Sequence, residues 1–253
     1  MSQIPLTVRR VRDLTVVDAA EGPTWVIACD SVGSIGPKSA DAYAADARTV
    51  AHFAARVPLV EVMAAGARPE IIVDTLSVEL DPTGAEMIDE LLVLAASLGL
   101  GPERVTGSTE DNVPSVATGI GVTVLATADA LRPGTASAGE HLVLLGRPTS
   151  APEDRIEIGD PRMLSLPALA SVLALDGVSD ALPVGSKGVG YEADVMARTN
   201  GLAWRPAEGH GVDLHRSGGP ASCVLFSVRE DAIPSVLAAI PADLPRADLG
   251  VLS

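Results

Sequence analysis

The stretch 24–36, TWVIACDSVGSIG, constrains the chain more than any other, because an apolar run stops at Asp30 and passes into a glycine-containing loop. Trp25, Val26, Ile27, Ala28 and Cys29 show no polar alternation, which predicts a strand buried on both faces. Asp30 is then expected where that strand surfaces. A carboxylate on a rigid strand end beside glycine-permitted turns suits a divalent cation held over a phosphate. Taken alone, an aspartate at such a place serves more often as a turn residue accepting a backbone N–H.

The rest of the chain supplies context. Residues 39–57 carry helical spacing through Tyr43, Ala47, Val50, Phe53 and Ala54, and Pro58 is expected to break that helix and start a second short one closing at Gly66. Glu61 is the one charge on this second, apolar helix. It is either a partner of the helix dipole or a ligand aimed at a site. A β-branched strand over 70–80 and an ordinary core helix over 83–98 follow.

The loop TGSTEDNVP, 106–114, sets Ser108, Thr109, Glu110, Asp111 and Asn112 in succession before the strand run TGIGVTVLATA. It fits a plain Asx turn; it also holds enough side-chain oxygens to complete a Mg²⁺ shell begun by Asp30. A short strand is expected at 142–145. The Pro-rich, polar segment 148–155, PTSAPEDR, reads as a linker between residues 1–147 and 156–253.

The second half opens with a helix entered through Asp160 and Pro161, then a strand near 177–184, the loop GSKGVG and a helix over 189–199. GSKGVG lacks P-loop spacing, yet it places Lys187, Gly185, Ser186, Gly188 and free backbone N–H groups at a helix N-terminus, where phosphate can be held. A strand, ASCVLFSV, and a helix over 231–240 complete the chain.

Charge narrows the partners. Eighteen basic residues against 33 acidic ones give a net charge of −15, which argues against nucleic acid or an anionic membrane as partner but not against a small anion carrying its own metal. Only Lys38 and Lys187 are lysines, and both follow small-residue loops, where a compact ammonium suits phosphate oxygens. Cys29 and Cys223 lie apart in apolar runs and read as reduced core residues. No signal-peptide core and no run long enough to span a bilayer is present, so the reading is a cytoplasmic protein. His210 and His215 have no third ligand nearby, and no nucleophile elbow, Cys-x-x-Cys pair or Rossmann fingerprint occurs.

In this order the stretches resemble the family related to aminoimidazole ribonucleotide synthetase (PurM-like), which includes thiamine-monophosphate kinase, selenophosphate synthetase and a hydrogenase maturation protein. Asp30 matches the family's aspartate ending an early strand, and Glu61-Val-Met-Ala-Ala-Gly66-Ala-Arg-Pro69 matches its Asp-Ile-x-x-x-Gly-Ala-x-Pro helix with Glu for Asp. Thr106-Gly-Ser-Thr stands where the kinases have Gly-Gly-Asp-Thr. Gly139-Glu140 matches the Pro-Gly-Asp turn. Asp13, seventeen residues before Asp30, resembles the first of two N-terminal metal-binding aspartates. The second domain's aspartate is not clearly matched: Pro183 takes the equivalent place and Asp180 lies near it.

The wording ACDSVGSIGPK, RVPLVEVMAAGARP, TGSTEDN, LPVGSKG and SGGPASC looks most like a branch of α-ribazole kinases, which act in cobalamin lower-ligand salvage. The resemblance implies a two-domain α+β fold, a homodimer through the first domain's sheet, ATP and Mg²⁺ as cofactors, and phosphoryl transfer to a small-molecule hydroxyl. It places Asp13, Asp30, Glu61, Glu110 and Asp111 on metal, Lys38, Asn112, Gly185, Ser186 and Gly188 on nucleotide, and Asp30 with Lys187 at the reacting phosphate. A thiamine-phosphate kinase, a synthetase or hydrogenase-maturation chemistry, and a nucleotide-binding dimer without catalysis are the alternatives.

Overall fold

The structure, a computed structural model, describes residues 6–253. The chain divides into two compact units. One runs up to Val62 and resumes over Arg68–Asp129; the other comprises Met63–Ala67 and Ala130–Ser253.

The first unit is built on a six-stranded sheet. Its chain order is β1 (Leu6–Val11), β2 (Leu14–Ala19), β3 (Thr24–Gly33), the short pair β4 (Ile35–Gly36) and β5 (Tyr43–Ala44), helix α1 (Ala47–Ala64), β6 (Arg68–Leu76), helix α2 (Ala85–Ser97), β7 (Val105–Ser108) and β8 (Gly119–Ala128). Across the sheet the order is β1-β2-β3-β8-β6-β7, antiparallel throughout except for the parallel β6/β7 pair. β4 and β5 pair separately and in parallel.

Burial alternates along the central strands. Val26 and Ala28 on β3 and Ile120, Val122, Val124, Ala126 and Ala128 on β8 are buried, whereas Trp25 and Cys29 are exposed. The strand expected to be buried on both faces is therefore buried on one, because the sheet's other face carries no helix layer of its own unit, and Cys29 is a surface thiol. Asp30 also differs from expectation: β3 continues to Gly33, so Asp30 is paired inside a strand rather than standing at its end.

Pro58 does not break the helix. α1 is continuous through it, one backbone bond short. That loss costs about 3 kcal/mol in an isolated helix. It is offset by the fully buried Leu59, Val60 and Val62, each contributing roughly 1.5–3 kcal/mol by leaving water.

The second unit holds a four-stranded antiparallel sheet in the order β10-β11-β9-β12, with β9 His141–Leu145, β10 Val178–Pro183, β11 Val224–Val228 and β12 Arg246–Val251. Its central strands are buried on both faces, from Leu142 to Leu145 and from Val224 to Val228. Helices α3 (Leu166–Leu173), α4 (Val189–Thr199) and α5 (Ile233–Ala238) accompany it. Val189, Ala193, Met196 and Ala197 of α4 pack with Leu142, Leu144 and Leu225 of the sheet. α3 starts later than Pro161 suggests, capped by Ser165, whose hydroxyl accepts the Ala168 N–H at 3.3 Å.

The segment 148–155 lies within this second unit rather than between the two. Thr149 N–H donates to Ser222 Oγ at 3.0 Å, and Asp154 accepts from the Ser150 N–H at 3.0 Å and from the Arg216 guanidinium at 2.6 Å. Pro and polar residues here build a bonded loop; the units part at Asp129 and Ala130, ahead of β9.

Candidate functional site

In the first unit the pairing registers align four residues in one row: Asp30 opposite Val122, Val122 opposite Asp74, and Asp74 opposite Gly107. Directly opposed residues project from one face of a sheet, so Asp30 and Asp74 share the face that carries the buried side chains. Burial raises the Asp30 carboxyl above its ordinary value, with the Ser31 N–H acting in the opposite sense. Asp74 is 3% exposed, and burial lifts its carboxyl to about 6. Its Oδ1 has no hydrogen-bond partner among the described residues. Gly107 is required beside it, because a Cβ there would collide with the Asp74 carboxylate and carbonyl.

Asp74 is a candidate site residue that the sequence places within a β-branched strand and does not single out. The signal was present: in IIVDTLSV, 71–78, it is the single charge within a β-branched run, and Ile72 and Leu76 two residues to either side of it are buried.

The other expected carboxylates sit elsewhere. Glu110 Oε1 accepts the N–H groups of Asn112 at 2.8 Å and Val113 at 3.2 Å, and Asp111 accepts from Leu80 N–H and the Thr109 hydroxyl, each at 2.9 Å. The acidic loop is thus clipped to the chain after β6, and Asn112 at its tip is exposed. Asp13 lies in the exposed turn between β1 and β2, its carbonyl accepting from Arg10 at 3.1 Å. Glu61 lies on α1, half-buried and engaged. Among the described residues no three His, Cys, Asp or Glu side chains are grouped to hold a metal ion, so the structure does not gather the five carboxylates into one cluster.

Lys38 is tied down rather than free. Its ammonium donates to Glu79, which also accepts from the hydroxyls of Thr83 at 2.6 Å and Ser115 at 3.2 Å. Lys38, then Thr83, hold the Glu79 carboxyl down to about 2. The backbone N–H of Lys38 donates to Asp41 at 2.7 Å, and Asp41 in turn accepts from the Thr118 N–H and hydroxyl, which fixes the loop after β4.

In the second unit, Gly185, Ser186 and Lys187 precede α4, and Gly188 is its N-cap at φ +86°. A Cβ at Gly188 would meet the Leu214 carbonyl at 2.7 Å, so only glycine lets the 210–219 loop pack there. Lys187 Nζ donates to the Tyr191 hydroxyl at 3.2 Å and lies 4.3 Å from its ring centre. Asp180, the near match for the family's second-domain aspartate, is fully buried and structural. It accepts from Asn200 Nδ2 at 2.9 Å and from the Ala181 N–H at 2.8 Å.

A Mg²⁺ ion requires oxygen ligands, and Asp30 and Asp74 are the carboxylates in this unit whose charge is desolvated without an ion pair among the described residues. That donor chemistry fits a hard divalent cation.

No protein-family model and no curated protein sequence matches the chain. Solved structures do. The architecture is an α+β fold with one mixed and one antiparallel main sheet, and it is shared with solved structures over most of the chain. Thiamine monophosphate kinase from Aquifex aeolicus matches with a TM-score of 0.65 at 12% identity, over 96% of this chain and 89% of that one. AaThiL complexed with AMPPCP and TMP matches at 0.62 and 13%, over 95% and 84%. The hydrogenase maturation protein HypE in complex with ATP matches at 0.65 and 13%, over 92% and 77%. At such identities the likeness establishes the fold. No helix among the described residues is long and apolar enough to cross a membrane.

Proposed function

We propose that the chain is a Mg²⁺- and ATP-dependent kinase that transfers the γ-phosphoryl group to a hydroxyl of a small molecule, α-ribazole. The observation that carries this reading is the nearly full-length fold shared with a kinase solved with AMPPCP and TMP and with HypE solved with ATP. Asp30 sits on the strand where the resemblance places a metal-binding aspartate.

Phosphoryl transfer asks mainly for positioning and neutralisation of charge. The chemistry a divalent cation would supply here is neutralisation of the charge that develops on the transferring phosphoryl group. Asp30 would hold the cation, with Asp13, Glu61, Glu110 and Asp111 as further acidic groups of the same unit. In the second unit, taken by itself, Lys187 and the N–H groups of Gly185 and Ser186 offer positive charge and donors that suit phosphate, whereas the Gly188 N–H is spent on the Gly185 carbonyl at 3.2 Å. Lys38 serves this role only if it leaves Glu79, so its first task is to hold the loop after β4. The uncovered sheet face, with Trp25, Ile27, Ile71, Val73 and Leu125 incompletely buried, supports a second copy of the chain as its cover.

A second reading, nucleotide binding without transfer, draws on Ser108, which stands where the kinases have a carboxylate. Mass spectrometry of the products separates the two. Purified protein with ATP, Mg²⁺ and α-ribazole is expected to give a one-phosphoryl mass gain on α-ribazole, and none on thiamine phosphate run in parallel. A gain on thiamine phosphate alone moves the assignment to that kinase class. ATP binding with no gain on either favours the second reading.

A further inference from the structure

The second unit contains a cavity of about 360 Å³ between the exit of β9, the start of β12 and the loop around His210. In a chain of net charge −15 its charged lining is mostly cationic: Arg147, Arg216 and Arg246 against the single carboxylate of Asp213, with the His210 ring beside them. Asp213 is partly spent, accepting the His215 N–H at 3.0 Å. Arg216 is anchored at the cavity wall, its Nε donating to the Pro148 carbonyl at 3.1 Å and its charge answered by Asp154 at 2.6 Å.

Two guanidinium charges remain without a carboxylate. Arg147 makes no side-chain hydrogen bond or ion pair among the described residues, and Arg246 only donates to the Ala242 carbonyl at 3.2 Å. His210 adds a donor. Its Nδ1 accepts the Val212 N–H at 3.0 Å, so the neutral ring carries its proton on Nε2. Leu144, Val212 and Ala247 give the cavity apolar wall beside these donors.

We infer that this cavity binds a small phosphorylated compound, its phosphate held by Arg147 and Arg246 with His210 Nε2–H as a further donor and its body against the apolar wall. Guanidinium forks match phosphate oxygens in geometry and charge, and the volume falls within the range of small-ligand sites. The cavity's lining lies wholly within the second unit and does not include Lys187, and the inference does not depend on the kinase reading.

The test uses the full chain and inorganic phosphate, with no nucleotide or acceptor present, following ¹H–¹⁵N NMR shifts at constant ionic strength so that screening does not imitate binding. The expected result is saturable shifts centred on Gly146, Arg147, Gly211 and Val212. In an Arg147→Ala/Arg246→Ala variant, whose two side chains are exposed, affinity should fall about tenfold or more as two charge-assisted contacts are lost. Arg229→Ala, which removes a guanidinium paired with Asp176 and Asp231, should leave binding unchanged. Absence of saturable shifts, shifts centred instead on Gly185–Lys187, or equal affinity in the double variant would each overturn the inference.

Discussion

The main sheets of the two units treat their buried carboxylates in opposite ways. In the second, Glu140 is 6% exposed and both of its oxygens are used: Oε1 accepts from Ser179 at 2.7 Å and Oε2 from Ser227 at 2.6 Å. Asp180 beside it is likewise hydrogen-bonded. In the first unit Asp74 is more deeply buried than Glu140 and leaves Oδ1 unpaired, in one row with the desolvated Asp30. A satisfied buried carboxylate stabilises the fold, whereas an unsatisfied one costs stability and marks a place where something else supplies the partner. The second unit's sheet is a finished core; the first unit's sheet keeps charge in reserve.

Four substitutions sharpen or break that contrast. Asp30→Asn should lower phosphoryl transfer at least about a hundredfold while the circular-dichroism spectrum and unfolding midpoint stay close to wild type. Turnover at the wild-type rate would remove Asp30 from the metal assignment. Glu140→Ala strands the buried Ser227 hydroxyl and the half-buried Ser179 hydroxyl and should cost about 1–3 kcal/mol in urea unfolding; a neutral result would show the network to be dispensable.

Asp74→Asn should act in the opposite direction. The folded carboxyl titrates at about 6, above its ordinary 3.8, so its neutral form contributes stability that is whole below about pH 4 and lost as pH rises through 6. Above pH 7 the Asn variant should therefore be more stable, by up to ~3 kcal/mol, and the gap should close in acid. An equal or lower stability at pH 8 would mean that the carboxylate is satisfied after all.

The smallest effect is expected at Lys38. Glu79 is held at about 2, below its ordinary 4.5, so the pair's stabilisation is present above pH 4.5 and disappears as pH falls toward 2. Partial exposure limits it to about 1 kcal/mol. Lys38→Ala should lose that much at pH 7 and nothing near pH 2, as read by thermal unfolding across pH.

Much of this architecture is legible in the sequence, and the misses have physical causes. α4 over Val189–Thr199 follows from its glycine entry and apolar spacing, and the second unit's sheet strands from their continuous apolar runs. Pro58 misled because the cost of one lost backbone bond is set by tertiary burial, which local propensity does not contain. Trp25 to Cys29 misled because an apolar run looks the same whether its second face meets a helix or is left uncovered. The 148–155 segment has linker composition, yet its polar groups bond to Ser222 and Arg216, residues far along the chain. Of the candidate site, Asp30 was visible at the end of its apolar run; Asp74 was hidden because what singles it out is the β6/β8 register and the neighbouring Gly107 on β7.

The most direct test of the contrast is hydrogen–deuterium exchange on the full chain with and without Mg²⁺ and AMPPCP. The account predicts new protection in the first unit, over β3 around Asp30 and over the end of β6 with the 105–112 segment. Protection confined to the second unit, or none at saturating nucleotide, would contradict it.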